Sequence, residues 1–246
     1  MMMSRVTEQQ EMLRTICAER ALKLLFIGNS ATYVHDLPQT LCRLATEAGY
    51  SMESASVVKG GYELAQHADS STEHGQTVLS QIARGYDIVF LQDNGSCVTS
   101  HPKSEAARLA CDALHRAIKS AGGKTYMYVR PPYGHDHGGR TPFEQCIAFD
   151  ALFEQIADRI SAVNAHVNRA FAYAITHTDL DLWGPDHAHT SEYGAYLAVC
   201  VFFATLLGIS AETLGTNGLK LNDARALQQI ADRIAIDGVI PWNERN

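Results

Sequence analysis

Short apolar runs alternate along the chain with segments whose apolar positions repeat at helical spacing. Residues 22–27, 55–58, 88–91 and 125–129 predict buried parallel strands, and residues 167–174 predict a weaker fifth strand. The amphipathic segments between and after them predict helices, among them 37–48, 78–82, 107–118, 141–160 and 223–235. Residues 191–207 are apolar on nearly every side, which indicates a helix that is buried all round.

Strands that alternate with helices predict one α/β domain, a three-layer α/β/α sandwich around a mostly five-stranded parallel sheet. We place this single domain at residues 22–246. We predict that residues 1–21 form an N-terminal helix packed on it, through a face with Leu13, Ile16, Cys17 and Ala21. Ligands of such sheets bind at the carboxyl ends of the strands. The residues that follow each strand are therefore the first candidates for function.

Composition narrows the class of protein. Hydrophobic residues make up 46% and charged residues 19% of the chain, as in globular domains, and the net charge of −7 without a basic stripe argues against nucleic acid as a partner. No apolar run predicts a membrane span, and the polar N-terminal segment does not fit a signal peptide. We therefore expect a cytoplasmic protein with reduced cysteines, which form no C-x-x-C pair: Cys17, Cys42, Cys97, Cys111, Cys146 and Cys200.

Three predicted strands are followed by residues that acyl-transfer chemistry uses. Ser30 follows the first strand, where a hydroxyl and backbone N–H groups can meet a ligand. The Gly60–Gly61 pair follows the second strand and allows close backbone approach. Asn94, after the third strand, could donate from its side-chain amide. Each of these residues is also a common turn former, so none of them indicates a function alone.

An acid and an imidazole lie three positions apart just before the buried helix. In a tight turn, Asp186 could accept a hydrogen bond from one ring nitrogen of His189 and leave the other nitrogen free as a base. The start of a helix immediately afterwards disfavours a protonated imidazole. A D-x-x-H spacing is common in loops and is a weak signal without further residues.

The four candidate positions together form the set that acyl transfer needs, at one edge of one sheet. With these residues the chain resembles the SGNH, or GDSL-like, hydrolase superfamily over about residues 22–208. Ser30 matches the serine of the first sequence block, Gly61 the glycine of the second and Asn94 the asparagine of the third. Asp186 and His189 match the D-x-x-H of the fifth block. Gly60 is the alternative if the second block is shifted by one residue.

The resemblance implies a flavodoxin-like sandwich and a serine ester hydrolase that works without a cofactor or metal. Ser30, His189 and Asp186 would be the catalytic triad, and Ser30, Gly61 and Asn94 the oxyanion hole. Members of the superfamily hydrolyse esters, often of lipids or acetylated sugars. The polar, His-rich segment 130–140 leads us to expect short acyl or acetyl esters as substrates. The oligomeric state stays open.

Three residues depart from the pattern of the superfamily. Asn29 replaces the aspartate before the serine, Gln92 the glycine two positions before Asn94, and Gly95 the aspartate after it. This combination resembles a divergent bacterial branch of the superfamily. It leaves the triad intact but leaves two candidates for the third oxyanion donor, Asn94 and Gln92.

Two other functions compete with the esterase. The chain could be a non-catalytic binding protein for a small molecule or carbohydrate on the same fold. It could also be a metal-assisted hydrolase that uses His135, His137 and His187, although their spacing matches no standard ligand pattern. Tyr133 and Trp183 could line a substrate pocket or serve in packing.

Overall fold

The computed structural model describes residues 2–244, and their side chains from residue 7 onward. In chain order the helices and strands of this part are α1 (Met2–Glu19), β1 (Leu22–Gly28), α2 (Ser30–Tyr33), α3 (Leu37–Glu47), β2 (Met52–Val58), α4 (Leu64–Ala68), α5 (Glu73–Ile82), β3 (Ile88–Leu91), α6 (His101–Ser120), β4 (Lys124–Val129), α7 (Pro142–Ile160), β5 (Val163–His166), α8 (Val167–His177), α9 (Glu192–Leu207) and α10 (Leu221–Ala235). Residues 245 and 246 of the predicted domain lie outside the described residues.

The strands form one parallel sheet in the order β2-β1-β3-β4-β5. Successive side chains of a strand point to opposite faces, and each face is covered by helices. Phe26 and Phe90 lie on the face covered by α1, α3, α8, α9 and α10, whereas Ile27 and Leu91 lie on the face covered by α4 to α7. The predicted three-layer α/β/α sandwich with a five-stranded parallel sheet is confirmed.

Most elements begin and end close to their predicted positions. β3 covers the predicted residues, and α7 begins at the predicted capping box, in which Thr141 Oγ1 accepts the Glu144 N–H and Glu144 Oε2 accepts the Thr141 N–H. α9 is buried from Gly194 to Leu207, as its sequence predicts. β2 begins three residues before its predicted start because this edge strand carries exposed polar residues, which weaken its pattern.

The prediction of a fifth strand at residues 167–174 is wrong. The strand β5 is Val163–His166, and the predicted segment forms the helix α8. Val167, Ala170, Phe171 and Ala174 are all fully buried and follow the spacing of a helix face. A short alanine-rich apolar run does not distinguish a strand from a buried helix by periodicity alone.

The N-terminal helix α1 packs against the end of α9. Leu13 and Cys17 are buried in the core, and Gln10 Nε2 donates to the Thr205 carbonyl at 3.2 Å. Arg14 donates to the carbonyl of Leu207 at 2.5 Å. These two hydrogen bonds satisfy carbonyl groups in the last turn of α9, because the last carbonyls of a helix have no N–H donor within the helix. Among the described helices, none has the length and apolar character that crossing a membrane requires.

Candidate active site

Ser30 lies in the tight turn between β1 and α2. Asn29 caps this short helix: its Oδ1 accepts the Ala31 N–H at 3.1 Å, and its Nδ2 donates to the Tyr62 carbonyl at 2.8 Å. The Ser30 hydroxyl is partly exposed, and neither it nor the Ser30 N–H donates a hydrogen bond to another described residue. The carboxyl end of β1 therefore presents an uncommitted hydroxyl and an uncommitted N–H side by side.

Gln92 lies buried behind this turn and supports it. Its Oε1 accepts the Asn29 N–H at 2.8 Å and the Thr32 hydroxyl at 2.9 Å, while its Nε2 donates to the Asp93 carbonyl. A Cβ on Gly28 would come within 2.5 Å of Gln92 Oε1, so this close approach requires a glycine. The Oε1 end of the Gln92 amide thus holds the turn, the Nε2 end bonds the Asp93 backbone, and the side chain is 1% exposed and does not line the cleft.

Asp186 and His189 form a hydrogen-bonded turn just before α9. Asp186 Oδ1 accepts the N–H groups of Ala188 and His189, each at 3.0 Å, and Oδ2 lies 2.6 Å from His189 Nδ1. The bonds from the His189 backbone and ring, then from Ala188, hold the pKa of Asp186 well below its usual range. Because an ionised carboxylate only accepts, Nδ1 carries the ring proton and Nε2 is the nitrogen left to act as a base.

Ser30, Gly61, Asn94 and His189 line one cleft of about 170 Å³. The structure thus brings the predicted nucleophile, base and oxyanion residues to the same place. It does not join the Ser30 hydroxyl to His189 by a hydrogen bond. Such bonds are often long without substrate and tighten in the substrate complex. The other residues that line the cleft are Asn29, Ala31, Arg130, Tyr133 and Ala188.

Gly61 and Asn94 meet on the side of the cleft formed by the ends of β2 and β3. Gly61 has a positive φ of 75°, a conformation that favours glycine, and its N–H makes no hydrogen bond to the described residues. Asn94 Nδ2 donates to the Gly61 carbonyl at 3.2 Å, and its Oδ1 accepts the Ser96 N–H at 3.1 Å. One amide hydrogen of Asn94 remains for a ligand. Gly60, the alternative in the sequence, is not among the residues that line the cleft.

A buried carboxyl group lies next to the Asn94 backbone. Asp93 is 2% exposed, and its Oδ1 accepts the N–H groups of Leu64 at 2.8 Å and Asn94 at 2.7 Å. Burial raises the pKa of Asp93 to about 6, against the opposing effect of these two hydrogen bonds. Asp93 therefore connects the start of α4 to the backbone of Asn94. Its carboxyl group loses its proton less readily than an exposed aspartate does.

Two side chains at this site were not identified from the sequence. Arg130 directly follows β4, is 4% exposed and lines the cleft. His35 has a positive φ of 59°, and its Nε2 lies 2.8 Å from the Thr190 carbonyl, which joins the chain after α2 to the residue after His189. The position of Arg130 after a strand was the one available signal, whereas nothing in the local sequence indicates the long-range contact of His35.

The histidines of the metal alternative do not form a ligand group. The rings of His135 and His137 have centroids 6.4 Å apart, with the Tyr133 ring in contact with both, and His187 is exposed. Tyr133 lines the cleft, whereas Trp183 packs on Phe171 and donates its Nε1–H to the Pro132 carbonyl at 3.0 Å. Of the two aromatic candidates, only Tyr133 borders the site.

In the described part of the chain, one set of side chains has the spacing of a metal site: Asp150, Glu154 and His166. Arg169 already occupies this cluster. Its Nε lies 2.7 Å from Asp150 Oδ1, and its Nη2 lies 3.0 Å from Asp150 Oδ2 and 2.8 Å from Glu154 Oε1. The guanidinium neutralises the carboxylates where a metal ion would have to bind, so these residues fit an ion-pair cluster.

Comparisons with known proteins agree with this fold. No protein-family model and no curated protein matches the sequence. Among solved structures, the chain is similar to a candidate SGNH hydrolase from Slackia heliotrinireducens, with 26% identity, a TM-score of 0.64, and coverage of 80% of this chain and 100% of that one. It is also similar to a DUF4886 family protein from Bacteroides uniformis, with 17% identity, a TM-score of 0.75, and coverage of 87% and 94%.

An acetylxylan esterase from Geobacillus stearothermophilus shares the fold as well, with 16% identity, a TM-score of 0.56, and coverage of 78% of this chain and 96% of that one. The resemblance that the sequence indicates is confirmed: the chain has the fold of the SGNH-like hydrolase superfamily. At these identities the neighbours support a hydrolase in general, and the residues of the cleft have to carry any more specific assignment.

Proposed function

We propose that the protein is a serine ester hydrolase with Ser30 as its nucleophile. One observation carries the proposal: Ser30, Gly61, Asn94 and His189 share one cleft, and Asp186 holds the His189 ring through Nδ1 at 2.6 Å. A serine beside an oriented imidazole and a set of free N–H donors is the arrangement that acyl transfer requires.

The reaction follows from the role that each atom can take. His189 Nε2 removes the Ser30 proton as Oγ attacks the ester carbonyl, and the imidazolium then protonates the leaving alcohol. Water, deprotonated by the same nitrogen, releases the acid from the acyl-enzyme and restores Ser30. Asp186 stabilises the imidazolium because its carboxylate stays ionised. No cofactor takes part in these steps.

The negative oxygen of the tetrahedral intermediate would be held by three donors. They are the N–H groups of Ser30 and Gly61, which have no acceptor among the described residues, and the remaining hydrogen of the Asn94 amide. Gln92 is the weaker candidate because its amide is buried and committed to Asn29, Thr32 and Asp93. Its role in this proposal is to hold the turn of the nucleophile.

The dimensions of the cleft favour short acyl groups. A volume of about 170 Å³ leaves little room for a long acyl chain. We therefore expect 4-nitrophenyl acetate and acetylated sugars to be hydrolysed in preference to a palmitoyl ester. A clear preference for palmitoyl would contradict this part of the proposal and would leave the triad untouched.

Covalent labelling tests the nucleophile directly. A fluorophosphonate probe should modify the protein once, and mass spectrometry should locate the adduct on Ser30. The Ser30→Ala variant should take up no label, whereas Ser80→Ala, a control at an exposed serine of α5, should react like the wild type. An unlabelled wild type that also hydrolyses no ester would favour the non-catalytic binding protein.

Chelation separates serine chemistry from metal-assisted hydrolysis. Because the proposed roles belong to Ser30, His189 and Asp186 alone, we expect EDTA to leave the rate of ester hydrolysis unchanged. Activity that disappears with EDTA and returns with Zn²⁺ or Mn²⁺ would instead support the metal alternative.

A further inference from the structure

Arg130 places a buried positive charge in the wall of the cleft. The side chain is 4% exposed, and it lines the same cleft as Ser30, Asn94 and His189. Its Nε–H donates to the Pro131 carbonyl at 2.9 Å, and its guanidinium carbon lies 4.2 Å from the centre of the Tyr133 ring. The stem and the face of the guanidinium are thus fixed by neighbouring residues of the same loop.

The two terminal nitrogens of Arg130 have no acceptor among the described residues, and no described carboxylate forms an ion pair with it. Asp93 uses Oδ1 on the backbone N–H groups of Leu64 and Asn94. A buried charge is normally paired, because an unpaired one is strongly unfavourable. The four terminal N–H donors of Arg130, a residue that lines the cleft, therefore have no acceptor in the described part of the protein.

Gly95 leaves space beside the Arg130 guanidinium because it has no side chain. A Cβ on Gly95 would come within 2.6 Å of Arg130 Nη1 and 2.5 Å of Tyr133 Cε2. A larger residue at this position would force Arg130 or Tyr133 to shift from its place. The neighbouring residues therefore fix the Arg130 guanidinium in its buried position.

We propose that Arg130 binds a carboxylate group of the substrate, so that the preferred substrates are short esters that carry a negative charge. A carboxylate is small enough for the cleft, and it matches the guanidinium fork with two parallel N–H···O bonds. The proposal rests on the function proposed above. The carboxylate could belong to the acyl group or to the leaving alcohol, which share this chemistry.

Matched substrates distinguish these two sources. For the alcohol side, the pair is 3-acetoxypropanoate and its uncharged amide, 3-acetoxypropanamide. For the acyl side, the pair is monomethyl glutarate and methyl 4-carbamoylbutanoate. We expect the wild type to prefer the charged member of one pair. In Arg130→Gln, kcat/KM for that member should fall by roughly 30-fold or more through KM, while the amide changes less than about twofold.

Two variants control for charge and for packing. Arg140→Gln removes a positive charge from the same loop, but Arg140 does not line the cleft and donates to the Val98 carbonyl, so its substrate preference should equal that of the wild type. Arg130→Lys keeps the charge but loses the fork, and we expect an intermediate preference. Turnover of the amide by Arg130→Gln shows that this variant is folded.

Binding to a protein without its nucleophile keeps the test independent of turnover. Calorimetry on Ser30→Ala should show tighter binding of the preferred charged ester than of its amide, and the double variant with Arg130→Gln should lose the difference. Equal treatment of both members by the wild type, or an equal loss for both in Arg130→Gln, overturns the proposal and leaves the esterase standing. Charge-selective binding that depends on Arg130, without hydrolysis of any of the four esters, overturns the esterase alone.

Discussion

Two buried arginines show how differently this molecule treats a polar group in its interior. Arg169 makes three contacts with the carboxylates of Asp150 and Glu154, next to His166. Arg130 has one carbonyl and the rings of Tyr133 and Phe149. In the first region, the Arg169 cluster, the groups satisfy one another. In the second, the cleft, donors and a hydroxyl have no partner in the described protein, which is the condition for binding a ligand.

The contrast predicts opposite consequences of mutation. Ser30 and His189 should affect catalysis and leave stability nearly unchanged, because the Ser30 hydroxyl and His189 Nε2 make no hydrogen bond to the described residues. Residues of the Arg169 cluster should affect stability and leave catalysis unchanged, because each of them neutralises another. Each of the following measurements tests whether the residues that affect catalysis differ from those that affect stability.

The largest effect is expected for the nucleophile. Ser30→Ala should lower ester hydrolysis by roughly three to six orders of magnitude, as in other triads whose serine is removed. The free energy of unfolding in urea should stay within about 0.5 kcal/mol of the wild type, since the hydroxyl has no hydrogen bond to lose among the described residues. A variant that kept most of its activity would disprove the assignment of Ser30.

In the Arg169 cluster the prediction is reversed. Asp150→Ala leaves the buried guanidinium of Arg169 without its main partner and should lower the free energy of unfolding by about 3–5 kcal/mol. Its kcat at a temperature where it is folded should equal that of the wild type. Glu105→Ala, which removes an exposed carboxylate from a surface pair, should change stability by less than about 1 kcal/mol. A stable Asp150→Ala would show that the cluster is not a stabilising unit.

The oxyanion donor comes next. Asn94→Ala should lower kcat roughly 100- to 1000-fold with little change in KM, because this hydrogen bond strengthens mainly in the transition state. Gln92→Ala should lower kcat less and should destabilise the protein by about 1–3 kcal/mol, because it leaves the buried Asn29 N–H without an acceptor. The opposite ranking of the two kcat values would move the third donor to Gln92.

The remaining predictions concern the pH dependence of stability. The folded-state pKa of Asp93, about 6, lies above its ordinary value of 3.8, so its contribution to stability is full below pH 4 and is lost as the pH rises through 6. This rise in the pKa corresponds to roughly 3 kcal/mol of stability. Urea unfolding between pH 4 and 8 should show this loss in the wild type but not in Asp93→Asn.

The second buried aspartate has the opposite sign. Burial alone would raise the pKa of Asp150, but His166 and Arg169 outweigh it and hold the pKa at about 2. Its contribution to stability is therefore present above pH 4 and is lost as the pH falls through 2. Asp158→Asn, at an exposed aspartate of α7, is the control for both aspartates, and its stability should follow that of the wild type at every pH. If the free energy of unfolding of Asp93→Asn changed with pH between 4 and 8 as in the wild type, the loss of stability in this range could not be assigned to Asp93.

The sequence predicts those features whose cause is local. Strands such as β3 and the capping box at Thr141 depend on neighbouring residues, so their patterns are visible in the chain. The residues of the predicted site follow predicted strands or precede a predicted helix, and parallel topology brings such positions together. The fifth strand was misplaced because Val163–His166 has a single fully buried residue, Ala165, and the more apolar segment beside it is a helix.

Features that depend on distant contacts could not be predicted. Nothing near Arg130 in the sequence shows that it is buried or that Gly95 leaves it room, because that contact links the ends of β3 and β4. The competition between Gln92 and Asn94 was open for the same reason. Both carry amides, and only the partners of each amide separate a support of the turn from a wall of the cleft.

The buried helix α9 has a consequence for the order in which the protein folds. It packs against α1, α3, α8 and α10, so its contacts join residues separated by as many as 195 positions in the chain. Closing such long loops is slow, because the chain loses entropy before the contacts form. Asp186 and His189 immediately precede α9, and we expect their turn to become ordered only when that helix docks. Ser30 is synthesised long before His189, but the strand β1 that leads to it also packs on α9 through Phe26 and Phe202. We therefore expect nucleophile and base to come together only when α9 docks.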